Sequence, residues 1–552
     1  MDKKKLNLKG VYKKMKMKRK GIIRFLTLFF TLVMIINNTV LNVYGIQTNF
    51  TRKDLYKAAQ KTIKYYYDNY KDKEFRGLLD WPALGLFGFG EDVSGPKWTV
   101  NGKNAAYWRE MEVRKGIRLS KVKNTDFQRT IIGVCAAGKD PRDFGGLNLV
   151  EIEKSTMLPN GHFADSVADN KTGKPIGEDL INAHIFGVIS LHCAGEPIPN
   201  RDKCLEWLEK QQHSDGGFTW DVKYFDDPED YKLVESDVDM TAAALMAFAI
   251  LGEDESNPVV ARALQFLHDR QLDNGGFHSW GTENPESCSW VILALTLLGQ
   301  DPMGKEWTKP GGGNPVTAMM RFQLKDGSFT HVLNEEDMLP IYDNGMSTEQ
   351  ALYGMASAYH NKCVFDMLHE KYRPEAEKKL FSDYKPGQFA FKETMDLVYD
   401  YVLSGYPDGT FRPNKPVTRA EFTSILVNAL GLKREKKKYR ASNKFNDIDE
   451  NHWANGSIGV CASRGFVKGV SEKSFSPDSY ITGEQLMTIL VKAAGLENEA
   501  RKKKVKGKGW AFGYIQVAKE KGLLFKGFNS KKAVNRAQCA WCIAKFRNLL
   551  KK

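Results

Sequence analysis

Three carboxylates lead the residues whose type and spacing could do chemistry. Asp237 and Asp239 stand two apart in Asp237-Val-Asp239-Met240-Thr241-Ala242, and Glu286 opens a similar apolar run further on. Two carboxyl groups flanking a bond are what glycoside hydrolysis needs. Protonating an alkene would need a strongly acidic carboxyl supported by carboxylate neighbours and hydrogen bonds. A local reading competes with both. Acidic residues at a helix start favour its dipole, and Ser236 to Asp239 has capping-box spacing, repeated by Ser347 and Gln350. Carboxylates at helix starts are too common to single out a reaction, so Asp237 and Asp239 stand as catalytic candidates in a chain to which no reaction is assigned. Trp220, Trp280, Trp290 and Phe277 could line a pocket for an apolar or sugar ligand, and core packing accounts for them equally well.

Metal and thiol chemistry finds less support. The ten His are scattered, among them His162, His184, His192, His213 and His278. Those at the ends of turns read as surface or satisfied residues, because a zinc site needs at least three converging groups. Most of the eight Cys sit in apolar helical contexts (Cys135, Cys193, Cys288, Cys461), where a thiol behaves as a small hydrophobe. Cys539 and Cys542 form a lone C-x-x-C that cannot supply four metal ligands. No metal and no cofactor is expected.

The elements that would position these residues come from repeats. Gly161-His162-Phe163, Gln212 to Phe218, Gln271 to Phe277 and Gln323 to Phe329 share a turn phrase whose Phe positions lie 55, 59 and 52 apart. A second phrase puts Gly138, Gly195, Gly252 and Gly299 at helix ends, 57, 57 and 47 apart. Gly past a helix end, followed by Pro or a polar residue, is a stop signal. Between the marks apolar residues follow helical spacing, so each unit is a polar outer helix and a more apolar inner one. Such periods signal stacked supersecondary units. Five or six hairpins fit residues 46–375.

The Gln-x-x-Asp-Gly-Gly-Phe phrase and Ser347-Thr348-Glu349-Gln350-Ala351-Leu352 make this body similar to the α/α-toroid superfamily of terpenoid cyclases, protein prenyltransferases and cobalamin carriers. The resemblance implies a fold and no single reaction. Asp237-Val-Asp239 resembles the acid motif of squalene-hopene-type cyclases, with Met240 where that motif has a further Asp.

The tail repeats more strictly. Phe381-Ser382-Asp383, Gly405-Tyr406-Pro407-Asp408-Gly409-Thr410-Phe411-Arg412-Pro413 and Thr418-Arg419-Ala420-Glu421 return as Phe445-Asn446-Asp447, Phe475-Ser476-Pro477 and Thr482-Gly483-Glu484-Gln485. A third, shortened copy runs from Trp510 to Asn535-Arg536-Ala537-Gln538. Pro-Asp-Gly is a turn, and Thr418 caps the next helix with Glu421 as reciprocal partner. These residues resemble the S-layer homology (SLH) family. The resemblance implies a pseudo-trimer whose grooves hold pyruvylated or otherwise anionic secondary cell-wall polysaccharide. It makes Arg419 and Arg536 the anion contacts, with Glu421, Asp383, Asp447, Trp453 and Trp510 shaping the grooves. Gly483 for Arg and Gln538 for Glu depart from the pattern.

Charge agrees with that partner. Residues 1–24 hold eleven Lys and Arg against one Asp, ahead of an apolar core at 25–36 too short for the about 20 residues a membrane span needs. This reads as a signal peptide cut after Gly45. Of the net charge of +14, residues 1–45 supply +10 and residues 381–552 supply +16, leaving residues 46–380 near −12. A basic tail on an exported chain points to an anionic wall polymer rather than nucleic acid, with no membrane partner after cleavage. The expected protein is all-α. A signal peptide (1–45) precedes an α/α-toroid of five to six hairpins (46–375) with an unknown ligand. Three SLH repeats follow (381–432, 445–496, 507–552), and the protein sits on the cell wall of a Gram-positive-type bacterium.

Overall fold

The structure is a computed structural model. It describes residues 50–551 apart from 117–118, 120–121, 170, 223–234, 280 and 334–344. The expected signal peptide and Trp280 lie outside the described residues. The chain divides into two compact units, one running through Cys193 and resuming at Asp202–Leu368, the other made of Ala194–Arg201 and His369–Lys552.

The first unit is a closed ring of helices. Its inner helices are α2 (Trp81–Gly88), α4 (Asn124–Ala136), α6 (Ile181–Cys193), α8 (Val238–Ile250), α10 (Pro285–Leu297) and α12 (Gly345–His360). Each packs on the next, and α12 returns to α2. The outer helices are α1 (Arg52–Tyr70), α3 (Ala105–Arg114), α5 (Leu149–Ser155), α7 (Arg201–Glu209), α9 (Pro258–Arg270) and α11 (Pro315–Met320). A helix apolar on every side belongs inside, and α8 buries ten of its thirteen residues. The ring closes at glycines: a Cβ on Gly85 would meet Leu352 at 2.7 Å, and one on Gly88 would meet Ala356 at 2.5 Å.

The recurring turn phrase is the clasp between hairpins. Gln212 Nε2 donates to the Gly216 and Val259 carbonyls, and Gln271 Nε2 to those of Gly275 and Trp307. Gln323 Nε2 reaches Ala58 O and Thr62 Oγ1 on α1, so the last phrase fastens to the first helix. Phe218 N–H donates to Thr241, Phe329 N–H to Thr348, and Phe163 N–H to His184 Nδ1. Three of the four phrases thereby tie their turns to an inner helix.

The second unit begins within α13 (Val364–Leu380). Each repeat then supplies two helices: α14 (Phe391–Tyr399) and α15 (Arg419–Ala429), α16 (Asn455–Ser463) and α17 (Gly483–Ala493), and, after the short α18 (Glu497–Lys502), α19 (Phe512–Glu520) and α20 (Arg536–Leu550). The helices pair between repeats: α14 with α20, α15 with α16, α17 with α19. At the centre three backbone hydrogen bonds run in a circle. Val417 N–H donates to Val534 O, Val534 N–H to Ile481 O, and Ile481 N–H to Val417 O, at 2.9, 3.0 and 2.9 Å. This is the expected pseudo-trimer.

Among the described residues no helix is long and apolar enough to cross a membrane. All eight Cys are free and buried, including Cys539 and Cys542 within α20.

Candidate functional site

In the first unit the inner helices α6, α8, α10 and α12 open with polar residues. Asp237 is the N-cap of α8 and accepts from Met240 N–H at 2.8 Å. The capping-box expectation for Ser236 is therefore corrected: its hydroxyl donates to Asp215 instead, one residue too early to cap. Ser347 likewise caps nothing, because α12 begins at Gly345; its hydroxyl donates to Glu286 at 2.5 Å. Glu286 also holds His331 Nδ1, 3.1 Å from each carboxylate oxygen.

Asp239, unlike Asp237, does not serve its own helix. The hydroxyls of Ser279 and Ser287 face its carboxyl without closing a hydrogen bond of good geometry, and its Oδ1 is buried without a partner. Burial pushes the Asp239 carboxyl up to about 6; the two hydroxyls pull it back and the Glu286 charge adds to the rise. Burial also raises Asp237 to about 7, opposed by the Met240 N–H. The structure thus places Asp239, Glu286 and His331 in one electrostatic neighbourhood and leaves Asp237 mainly as a cap. Of the aromatic candidates, Trp290 is half-buried on α10, Phe277 is core, and Trp220 is exposed.

His184 is a satisfied histidine, its Nδ1 accepting from Phe163 N–H and its Nε2 3.5 Å from Cys204 Sγ, whereas His162 departs from the expected surface or satisfied role. Both are fully buried, their rings stacked 5.4 Å apart and tilted against Trp207 at 4.1 and 4.5 Å, and neither His162 nitrogen closes a hydrogen bond of good geometry. Burial lowers His162 to about 4 and pushes His184 well below its usual range. Among the described residues no three His, Cys, Asp or Glu converge as metal ligands.

In the second unit, Thr418 and Glu421 form the expected capping box, repeated by Thr482 with Gln485 and Asn535 with Gln538. Arg419 and Arg536 start helices and reach into the neighbouring repeat. Arg419 Nε donates to Phe475 O and Nη2 to Lys468 O, with the guanidinium 4.4 Å from the Phe475 ring. Arg536 makes the same pair with Phe411 O and Ser404 O. Gly483 holds the third position, where a Cβ would meet Asn529 O at 2.5 Å and the Phe528 ring at 2.9 Å. The shortened loop of the third repeat has moved into the space an Arg would fill.

Asp383 and Asp447 fasten loops. Asp383 accepts from the N–H groups of Phe411 and Arg412, Asp447 from those of Phe475 and Ser476 and from the Ser474 hydroxyl. Burial pushes the Asp447 carboxyl up, and these donors more than reverse it. Trp453 and Trp510 are 64% and 55% exposed, and Phe389, at the same repeat position, is 46% exposed. Phe389 was not among the expected groove residues, although repeat alignment alone marks its place. Where the first and third repeats meet, a cavity of about 370 Å³ is lined by Phe389, Tyr384, Asn414, Lys526, Asn535 and Gln538 among others.

Residues 380–423 and 444–487 match the S-layer homology domain, and residues 181–277 match the squalene-hopene cyclase C-terminal domain. The middle cell wall protein of Brevibacillus brevis is 34% identical over 96 residues, 17% of this chain and 9% of that protein. The cellulosome-anchoring protein of Acetivibrio thermocellus is 30% identical over 134 residues, 23% of this chain and 30% of that protein. The chain thus spans a minor part of these relatives. Among solved structures, Candida albicans protein geranylgeranyltransferase-I complexed with GGPP aligns over 57% of this chain and 92% of its own, at 12% identity and TM-score 0.37. Type II terpene cyclase MstE from Scytonema aligns over 56% of this chain and 100% of its own, at 12% identity and TM-score 0.36. A helical ring with a segment similar to the squalene-hopene cyclase C-terminal domain is here joined in one chain to an S-layer homology tail, and that tail supports a place at the cell surface or cell wall.

Proposed function

We propose that the tail attaches the protein non-covalently to an anionic, pyruvylated secondary cell-wall polysaccharide and displays the helical ring as a ligand-carrying domain. In this reading residues 1–45 are a cleaved signal peptide, residues 46–375 the displayed ring, and residues 381–432, 445–496 and 507–552 the anchoring repeats. The observation that carries it is the exposed aromatic repeated three times around one closed unit: Phe389, Trp453 and Trp510. Exposed rings stack on sugar faces, and a guanidinium suits a carboxylate. Arg419 and Arg536 each use two of five N–H donors on loop carbonyls in the bonds described above, which aims the guanidinium and keeps donors for an anion. The test is sedimentation of the full-length protein with isolated wall sacculi. Binding should fall when Trp453 and Trp510 are both changed to Ala, and on walls stripped of pyruvyl groups. Unchanged sedimentation in the aromatic variant would refute the groove assignment, and equal binding to pyruvyl-free walls would remove the carboxylate role.

A second reading has its own observation. Glu286 orients His331, and beside them stands Asp239, whose carboxyl burial raises to about 6, the makings of an acid–base site. In that reading the ring is a wall-anchored enzyme acting on a glycan or polyprenyl-type substrate. Asp239→Asn should then abolish turnover of such substrates while the melting profile is kept, and Asp237→Asn should mainly cost stability.

A further inference from the structure

The positive charge of the second unit is concentrated in two short runs. Residues 381–552 carry +16, and residues 433–444 and 501–508 alone hold +12 of it, leaving +4 to the other 152 residues, grooves included. The two runs join the first repeat to the second and the second to the third. Ten of their thirteen cations are Lys, against one carboxylate, Glu435, which pairs with Arg464 outside the run. The stretch that leads into the first repeat, residues 369–380, is different. It nets +1, and its Arg373 and Lys378 pair with its own Glu377 and Glu375.

Neither run is a loose tether. The turns at Lys433–Lys437 and Ala441–Asn443 pack on α16, and α18 packs on α19. Glycines set the approach: a Cβ on Gly456 would meet Lys436 O at 2.6 Å, one on Gly459 would meet Tyr439 O at 2.5 Å, and one on Gly513 would meet Ala500 O at 2.0 Å. The first run and the start of the second are therefore held against helices, with their ammonium groups outward. Arg501 and Lys503 are taken by Glu497 and Glu520. Lys437, Lys502, Lys504, Lys506 and Lys508 are exposed and, among the described residues, pair with no carboxylate. Like charges this close repel within a Debye length of about 10 Å at 0.1 M salt, a cost that an outside anion would remove.

Lys and Arg suit different anions. The guanidinium fork matches a planar carboxylate at one orientation, whereas an ammonium is a compact point charge with three donors that meets a tetrahedral phosphate from any side. We propose that the two inter-repeat runs form a second wall contact, apart from the grooves, for a linear phosphodiester polymer carrying one negative charge per repeat unit. This rests on the reading of the tail as a wall anchor and adds a partner to it. The grooves read a sugar carboxylate by its shape; the runs read the density of charge along a chain.

Titration of the full-length protein with poly(glycerol phosphate), and with polyglutamate of matched charge number, tests it. The phosphodiester chain should bind saturably at low salt and the polyglutamate more weakly. Counterion release contributes about 0.7 per contacted phosphate of a single strand to the slope of log K against log salt, so the unmodified protein should show a slope of about −3 or steeper. Changing Lys437, Lys502, Lys504, Lys506 and Lys508 together to Gln should weaken the polymer about tenfold or more and flatten that slope by about 2, with the melting temperature kept. The same five changed to Arg should bind as the unmodified protein does. Unchanged affinity and slope in the Gln variant, or polyglutamate binding as tightly as the phosphodiester chain, overturns the proposal. So does preference for phosphatidylglycerol vesicles over the polymer, or salt-reversible self-association in place of polymer binding. Absent polymer binding with wall sedimentation intact strikes this contact alone; lost sedimentation with polymer binding intact strikes the groove reading and leaves this one standing.

Discussion

Asp80 holds φ +123°, ψ −128°, a region that costs a residue with a side chain of order 1–3 kcal/mol unless its surroundings impose it. The surroundings do so here. Arg109, 4% exposed, grips both Asp80 oxygens at 2.7 Å, and the backbone of Asp80 packs on Gly133, whose Cβ would meet it at 2.7 Å. Asp80→Asn should destabilise the first unit by about 3 kcal/mol in denaturant melts, since among the described residues it leaves the buried guanidinium with Glu112, at 3.5 Å, as counter-charge. At His162 the prediction concerns acid. Its folded value near 4 lies below the usual 6.5, so the unfolded chain takes up a proton that the fold refuses. Stability from this site is present above pH 6.5 and is lost as pH falls toward 4. The melting temperature of His162→Phe should therefore drop less between pH 7 and pH 5 than that of the unmodified protein. Neither site was legible in the sequence: Asp80 carries no motif, and His162 looks like any histidine in a turn until Trp207 and His184 enclose it.

Among the elements, the turn phrase shows how a legible pattern can mean something other than chemistry. Its spacing announced stacked hairpins, yet only the fold shows Gln212 fastening α9, Gln271 holding Trp307 ahead of α11, and Gln323 reaching back to α1. Gly327 has φ +97°, and a Cβ there would meet Lys61 O at 2.4 Å. Gly327→Ala should accordingly cost about 2 kcal/mol or more by adding strain to overlap at the closing clasp. The S-layer homology repeats teach a related lesson through Gly483. Read as sequence it is a defect in the Thr-Arg-Ala-Glu phrase; in the fold it is the partner of a shortened loop. Gly483→Arg should lower the melting temperature of the second unit and leave wall sedimentation no stronger, because Phe528 and Asn529 already fill the place. Helix caps were the most local feature and the most readable, as Thr418 with Glu421 shows, whereas Ser236 misled because two acceptors one residue apart compete for one helix end.

Over the whole molecule the charge divides sharply, −12 over residues 46–380 against +16 over residues 381–552. Exposed charges act through the solvent over a Debye length of about 10 Å at 0.1 M salt and about 3 Å at 1 M. Sedimentation with walls should therefore weaken as NaCl rises from 0.05 to about 1 M, while the melting of each unit, set by its apolar core, changes little. A tail held to walls by aromatic stacking alone would show no such slope. The two units were legible as separate repeat families because each reuses its own phrase, Gln-x-x-Asp-Gly-Gly-Phe in the first and Thr-Arg-Ala-Glu in the second. The contacts among the rings of Trp81, Phe186, Trp290 and Tyr353 inside the first unit were not, since these residues come from helices up to 272 positions apart in the chain, Trp81 to Tyr353.

The circular pairing of the tail also sets an order of events. The helix that α14 needs as its partner is α20, and the central hydrogen-bonded circle lacks a member until Val534 is in place. A chain emerging N-terminus first can pair α15 with α16 early, but it leaves α14 without its partner until α20 is free. The closed unit therefore cannot be finished repeat by repeat: it forms when α20 joins, and a tail lacking that helix leaves α14 bare and the central circle open.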